Sequence, residues 1–227
     1  MSAISVMARA AIRELRVILP VTLLAGCAAP QPPAQWDGLE YRAVAGFDAA
    51  YVRPGTGFAD YRSLMIDPVS VSFDKRWDPA AKSATEPGGM TPGQIQALRD
   101  GMAAELGRLL EAELIAGGYT IVTTPAPDTL RLSPSIVDLI VTPPGSMAPG
   151  KGQVYSLDAG RMTLLLELRD APSGQLLARV VDQKAGTRTG DVQVDGRELD
   201  AGLFRRAASD WARSFRAALD AIYARPR

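Results

Sequence analysis

Cys27 is the only cysteine in the chain, and it stands directly behind a short apolar run. One cysteine cannot close an internal disulfide, so any folded body must hold together by packing alone. The segment in front of it reads as an export signal. Arg9, Arg13 and Arg16 give a basic start, with Glu14 as its only acid. Val17–Ala25 follows, nine predominantly apolar residues interrupted by Pro20, far short of the ~20 that a membrane-spanning helix needs.

Leu24-Ala25-Gly26-Cys27 then has the form of a lipobox, the processing site of bacterial lipoproteins. Small residues before the cut let the backbone enter a narrow peptidase cleft, and the cysteine thiol is the nucleophile that takes a diacylglyceryl group. The competing readings are an uncleaved anchor or a buried core cysteine. The coincidence of basic start, short apolar run, small residues and sole cysteine favours the lipobox. The expectation is therefore a signal peptide over residues 1–26, removed to leave a lipidated Cys27. Each buried methylene contributes about 0.8 kcal/mol, so three acyl chains would hold the protein to the membrane where one would not. Ala28, in place of a retaining aspartate, points to the outer membrane and its periplasmic face. Losing the signal removes three arginines and one glutamate, leaving 22 basic and 24 acidic side chains, a net charge of −2.

The remaining chain can build a core. Of 227 residues 47% are hydrophobic and 22% charged, which excludes a disordered tract. A body of this size buries roughly 70% of its unfolded surface. Basic residues are scattered rather than clustered, so the sequence predicts no nucleic-acid partner.

Ala28–Pro33, with Pro30, Pro32 and Pro33, reads as an extended tether. Trp36–Ala50 has no clear period, so residues 27–50 are expected to be lipidated cysteine plus tether. A single domain then spans 51–225. Tyr51-Val52-Arg53 is a short strand candidate, and Ser63–Asp74 a better one that Pro68 forces to an edge or a bulge. Lys75–Met90 reads as a loop. Thr91-Pro92-Gly93-Gln94 is a capping box with proline at the first helical position. Ile95, Leu98, Met102, Leu106, Leu109 and Leu114 continue it as an apolar stripe that Gly117-Gly118 ends. Tyr119–Thr123 and Leu130–Thr142 are strands, the second split by Pro134; Pro143–Ala159 is a loop. Arg161–Arg169 and Leu176–Lys184 form a hairpin, and Gly186–Glu198 a polar loop. A helix over Leu199–Tyr223 presents Phe204, Ala208, Trp211, Phe215, Ala218 and Ile222 along one stripe.

The hairpin register follows from its turn. Pro172-Ser173-Gly174 as a three-residue loop puts Gly174 where a positive φ is required. Glu167 then faces Arg179 and Leu166 faces Val180, whereas a one-residue slip would set Leu166 against Arg179. The element order predicts an α+β fold: an antiparallel-rich sheet of about five strands with two helices packed on one face, preceded by a signal peptide and tether.

Several of these runs resemble a known family. Tyr51-Val52-Arg53-Pro54-Gly55, Phe58-Ala59-Asp60-Tyr61 and Ile66-Asp67-Pro68-Val69 are similar to the bacterial lipoprotein family called Domain of Unknown Function 3313. So are the run from Ala171 to Ala178, Val181-Asp182, Ala185-Gly186 and Trp211. The resemblance covers roughly Tyr51 to Leu219 and implies a small envelope lipoprotein domain. It carries no catalytic residues over to this chain.

Candidate chemistry is sparse. With no histidine, a Ser/His/Asp triad and a histidine metal site are both impossible. Cys27 is expected to be consumed by lipid. Lys151 lies between Gly150 and Gly152 without the spacing of a phosphate loop. Asp67 and Asp138 are the one acid pair to weigh, as in glycan hydrolysis, against an Asp-Pro bulge and an outward strand residue. Glu167, Arg169, Arg179 and Asp182 form a charged hairpin face, read first as solvated cross-strand pairs. Arg205, Arg206, Arg213 and Arg216 on the last helix could touch anionic headgroups. Asp210 and Asp220 among them make a mixed solvated face the preferred reading.

The chain is thus expected to be non-enzymatic, with no catalytic residues, cofactor or metal. Its expected partners are the membrane, through lipid on Cys27, and an envelope protein. A carrier of an apolar ligand comes second and a carboxylate-based cell-wall hydrolase third.

Overall fold

A computed structural model describes residues 32–77, 91–142, 156–185 and 196–223. The expected signal peptide, Cys27 and residues 28–31 of the tether lie outside the described residues. So do Lys151 and most of the loops expected at 75–90, 143–159 and 186–198.

Nine strands and two helices are described: β1 (Gln35–Trp36), β2 (Leu39–Arg42), β3 (Ala49–Val52), β4 (Ser63–Ile66), β5 (Ser70–Phe73), α1 (Pro92–Ala116), β6 (Thr120–Ile121), β7 (Thr129–Thr142), β8 (Ser156–Asp170), β9 (Leu176–Ala185) and α2 (Gly196–Ile222). The strands make one sheet in the order β1-β2-β3-β9-β8-β7-β4-β6, with β5 also on β7. This corrects the expected antiparallel-rich sheet of about five strands. The sheet has nine among the described residues and is mixed, because β4 and β5 lie parallel to β7 and β6 parallel to β4. The parallel pairs arise because α1 lies between β5 and β6 as a crossover.

Two expectations fail for local reasons. Trp36–Ala50, read as irregular, begins within a hairpin over residues 35–42 whose turn is Asp37-Gly38, with φ of 52° and 74°. Both central residues at positive φ suit the tight two-residue turn for which Asp-Gly is a preferred pair. The other failure concerns Pro134, which does not split β7. Leu132 accepts from the Asp67 N–H at 2.9 Å, so Pro134, two residues on, turns its nitrogen to the same side. That nitrogen meets the gap between β4 and β5, which Pro68 opens, and no ladder hydrogen bond is lost. The Ser63–Asp74 strand is correspondingly two strands, β4 and β5.

α1 begins as its sequence dictates. Thr91 Oγ1 accepts from the Gln94 N–H at 3.3 Å while Gln94 Oε1 accepts from the Thr91 N–H at 2.8 Å. It ends with Gly118 at φ 81°, the Gly118 N–H on Ile115 and the Tyr119 N–H on Leu114. That Schellman pattern satisfies carbonyls the helix leaves over. Its buried stripe is Ile95, Met102, Leu106, Leu110 and Leu114. On α2, Phe204, Ala208, Trp211 and Phe215 are buried as expected, but Leu219 continues the stripe and Ile222 is exposed.

Both helices pack on one face of the sheet. A single apolar cluster joins their stripes to Leu130, Leu132 and Ile136 of β7 and to Leu164, Leu166 and Leu168 of β8. The β8–β9 register pairs Glu167 with Arg179 and Leu166 with Val180, as the turn argument requires, and Gly174 has φ 70°. A second small cluster, Leu39, Ala49 and Tyr51, is built around the N-terminal strands.

Candidate functional site

The hairpin's charged face is not a solvated one. Arg179 is 8% exposed, and its guanidinium lies 4.1 Å from the centre of the Trp36 ring. It donates to Glu167 Oε1 through Nε (2.9 Å) and Nη2 (2.7 Å), and to Asp37 through Nη1 (2.8 Å). Arg169 donates to the other Glu167 oxygen at 2.6 Å. Tyr51 meets Trp36 edge-on with ring centres 5.5 Å apart. Burial pushes the Glu167 carboxyl up, but the hydrogen bonds from Arg179 and Arg169 outweigh it and hold the group below its ordinary range. The network ties the Asp37-Gly38 turn to β8 and β9. It is a clasp made of mutually satisfied charges.

Asp182 does not belong to that face at all. It lies opposite Leu164, on the side that carries the helices, and is 3% exposed. Its carboxylate accepts from the Trp211 indole N–H at 2.7 Å and from Lys184 at 2.8 Å. From Ala178 on, strand parity puts even-numbered positions of β9 inward, which an apolar/charged partition of the hairpin overlooks.

Asp67 and Asp138 are not brought together. Asp67 binds Arg131 through both oxygens, at 2.9 and 2.8 Å, and accepts from Ser133 at 2.6 Å. Its backbone sits at Leu132, six residues along β7 from Asp138, which is about 20 Å at strand rise. Glycan hydrolysis needs carboxyls within roughly 5–9.5 Å. Asp138 is exposed at a bulge of β7, with φ 52°. The acid that pattern reading overlooks is Asp74, which is 7% exposed. The Arg76 backbone N–H at 2.8 Å holds it below its usual range; burial opposes this, and Arg161 at 2.9 Å reinforces it.

The arginines of α2 are mostly engaged. Arg205 reaches Glu105 and Arg216 reaches Glu113, both on α1, at 3.1 and 2.7 Å. Arg216 also binds Asp220 at 2.9 Å, and Arg213 binds Asp210. Arg206 has no ion-pair partner among the described residues. The face is therefore mixed in sign, and part of it staples the two helices together.

Two concavities stand out among the described residues. One of about 190 Å³ lies beside Met162, Leu203, Phe204 and Ala207, with Arg161 and Lys184 at its border. The other, about 610 Å³, runs between α1 and the β4–β6 margin, along Met65–Val69, Ala103, Ala104, Gly107, Glu111 and Ile121–Thr123. No group of three or more metal-ligating side chains occurs among the described residues. No described helix is long and apolar enough to cross a membrane.

No curated protein matches the chain. Among solved structures, the PelC dodecamer from Paraburkholderia phytofirmans is similar at 15% identity, covering 71% of this chain and 95% of that one, with a TM-score of 0.32. A minor lipoprotein from Acinetobacter baumannii is similar at 14% identity, covering 71% and 92%, with a TM-score of 0.35. At these scores neither likeness carries an argument. The family resemblance seen in the sequence from roughly Tyr51 to Leu219 stands on firmer ground, and the family match starts further toward the N-terminus, at a point that takes in Trp36 and Asp37 of the clasp. The model described as Protein of unknown function (DUF3313) matches residues 34–215, and the chain belongs to that family.

Proposed function

We propose that this chain is a lipid-anchored envelope protein, held through Cys27 in the outer membrane on its periplasmic face, whose domain binds a protein partner without catalysing a reaction. The observation that carries this reading is the lipobox Leu24–Cys27 with the chain's sole cysteine, eight residues before β1. Eight residues span at most about 29 Å, so the domain works close to the surface that holds its anchor. The non-catalytic reading is supported by the state of the acids. Asp67, Asp74, Glu167 and Asp182 each serve an arginine, a lysine or a tryptophan within the fold.

The second reading is a carrier of an apolar ligand. The observation favouring it is the 190 Å³ cavity with Met162, Leu203 and Phe204 at its wall. A well-filled site for a drug-sized ligand is usually larger, about 300–1,000 Å³, and the cleft of about 610 Å³ is bordered by Asp67, Glu111 and Thr123 as well as apolar residues, so the carrier stands behind the partner-binding reading.

Intact-mass measurement and membrane fractionation test the anchor, and in-cell crosslinking followed by pull-down tests the partner. Wild-type protein should carry acyl mass and fractionate with outer-membrane markers, and Cys27→Ser should lose both. A wild type without lipid mass, or a lipidated protein that crosslinks to nothing, overturns the corresponding half of the reading.

A further inference from the structure

The sheet ends in an incomplete edge. β4 pairs with β7 on one side and with β6 on the other, but β6 is two residues long. The Val122 N–H still reaches the Leu64 carbonyl at 2.8 Å, and the chain then bends away. Along a strand, successive residues turn their backbone groups to alternate neighbours. Asp67 sends its N–H to Leu132 of β7, so Ile66 turns its own N–H and C=O outward, beyond the last residue of β6. Neither group has a partner among the described residues.

This free donor–acceptor pair opens onto the 610 Å³ cleft. Ala103, Ala104 and Gly107 keep the α1 wall of the cleft low, and Met65, Val69 and Ile121 make the rest of it apolar. Glu111 stands exposed on α1 at the cleft and has no ion-pair partner among the described residues, whereas Asp67 is already taken by Arg131 and Ser133. An acyl chain would leave the Ile66 backbone groups unsatisfied, and unmade backbone hydrogen bonds are costly once water is excluded. A polypeptide in extended form supplies an acceptor and a donor at strand spacing and alternates its side chains between wall and solvent.

We propose that this cleft takes an extended segment of a partner polypeptide. The segment adds to β4 as a further strand through Ile66, seats a small apolar side chain against α1 and sets a lysine or arginine against Glu111. The inference rests on the partner-binding reading above and gives that partner a chemistry.

The test uses the purified, lipidated full-length protein in detergent, panned against a phage-displayed library of random linear peptides. Enriched peptides should combine alternating apolar residues with a basic one. A synthetic copy should lose about tenfold or more in affinity on single backbone N-methylation, on Glu111→Lys and on Ala104→Trp. Trp36→Ala, at the far edge of the sheet, should leave binding unchanged, and melting temperatures should confirm that each variant is folded. No enrichment, or selected peptides indifferent to N-methylation, overturns the proposal without recourse to any variant. Because binding is read on purified protein, this result stands apart from the fractionation and pull-down that test the anchored, partner-binding reading.

Discussion

Trp211 of α2 donates its indole N–H to the Asp182 carboxylate of β9 at 2.7 Å, within the apolar layer between helix and sheet. The contact gives a buried indole its partner and gives a buried carboxylate a reason to be inside. Asp182→Ala should cost about 1–3 kcal/mol, since it leaves the N–H unsatisfied, and Asp182→Asn, which keeps an acceptor, should cost less. Trp211→Ala should cost about 3–5 kcal/mol. Urea unfolding followed by circular dichroism measures all three, and equal losses for Asn and Ala at position 182 would show that the hydrogen bond does not matter.

Removing one member of the Glu167–Arg179 pair should be severe. Arg179→Ala leaves Glu167 with Arg169 alone, releases the exposed Asp37 and takes away the surface beneath Trp36, and breaking a buried pair costs about 3–5 kcal/mol. Its effect should appear in hydrogen exchange first at β1 and β2, which the arginine ties down.

Acid should weaken the fold in a defined direction. Glu167 and Asp74 both have carboxyls held below their ordinary range in the folded state. Their stabilisation is complete above the range of unfolded carboxylates, about pH 4, and drains away as pH falls through the folded values. Urea midpoints should be level from neutral pH down to about 5 and fall below about 4, more shallowly in Glu167→Gln.

Gly46 has φ 87°, and a Cβ there would lie 2.5 Å from Ser214 Oγ on α2. Gly46→Ala should therefore lower stability by about 1–3 kcal/mol. Ser214→Gly should restore only the part due to contact. Gly57, with nothing near its absent Cβ and no positive φ, is the control: Gly57→Ala should be neutral or slightly stabilising in thermal melts.

Ala28→Asp should shift the protein to inner-membrane fractions on a density gradient while leaving its lipid mass intact. Unchanged outer-membrane recovery would remove the basis for the localisation proposed here.

Legibility in the sequence followed the range of the interactions involved. The α1 capping box, the α2 stripe from Phe204 to Phe215 and the β8–β9 register are set by neighbours in sequence, and each is readable from residue spacing. The parallel placing of β4 and β5 on β7 was not, because partners such as Ser63 and Thr129 carry no local mark of one another. Asp37-Gly38 did carry such a mark, as a tight-turn pair between Trp36 and Leu39, but without alternation around it. The peptide cleft could not be read, since it depends on where β6 stops and on which way Ile66 turns its backbone.

Arg179 and Asp37 are 142 positions apart, and β3 finds its other partner only in β9. A chain emerging from its N-terminus first therefore exposes β1, β2 and β3 long before the strand that receives them exists. Contacts of such separation make for slow folding. Through that interval the first strands present bare edges to whatever holds newly made chains, and the last hairpin to appear is the one that closes the sheet over them.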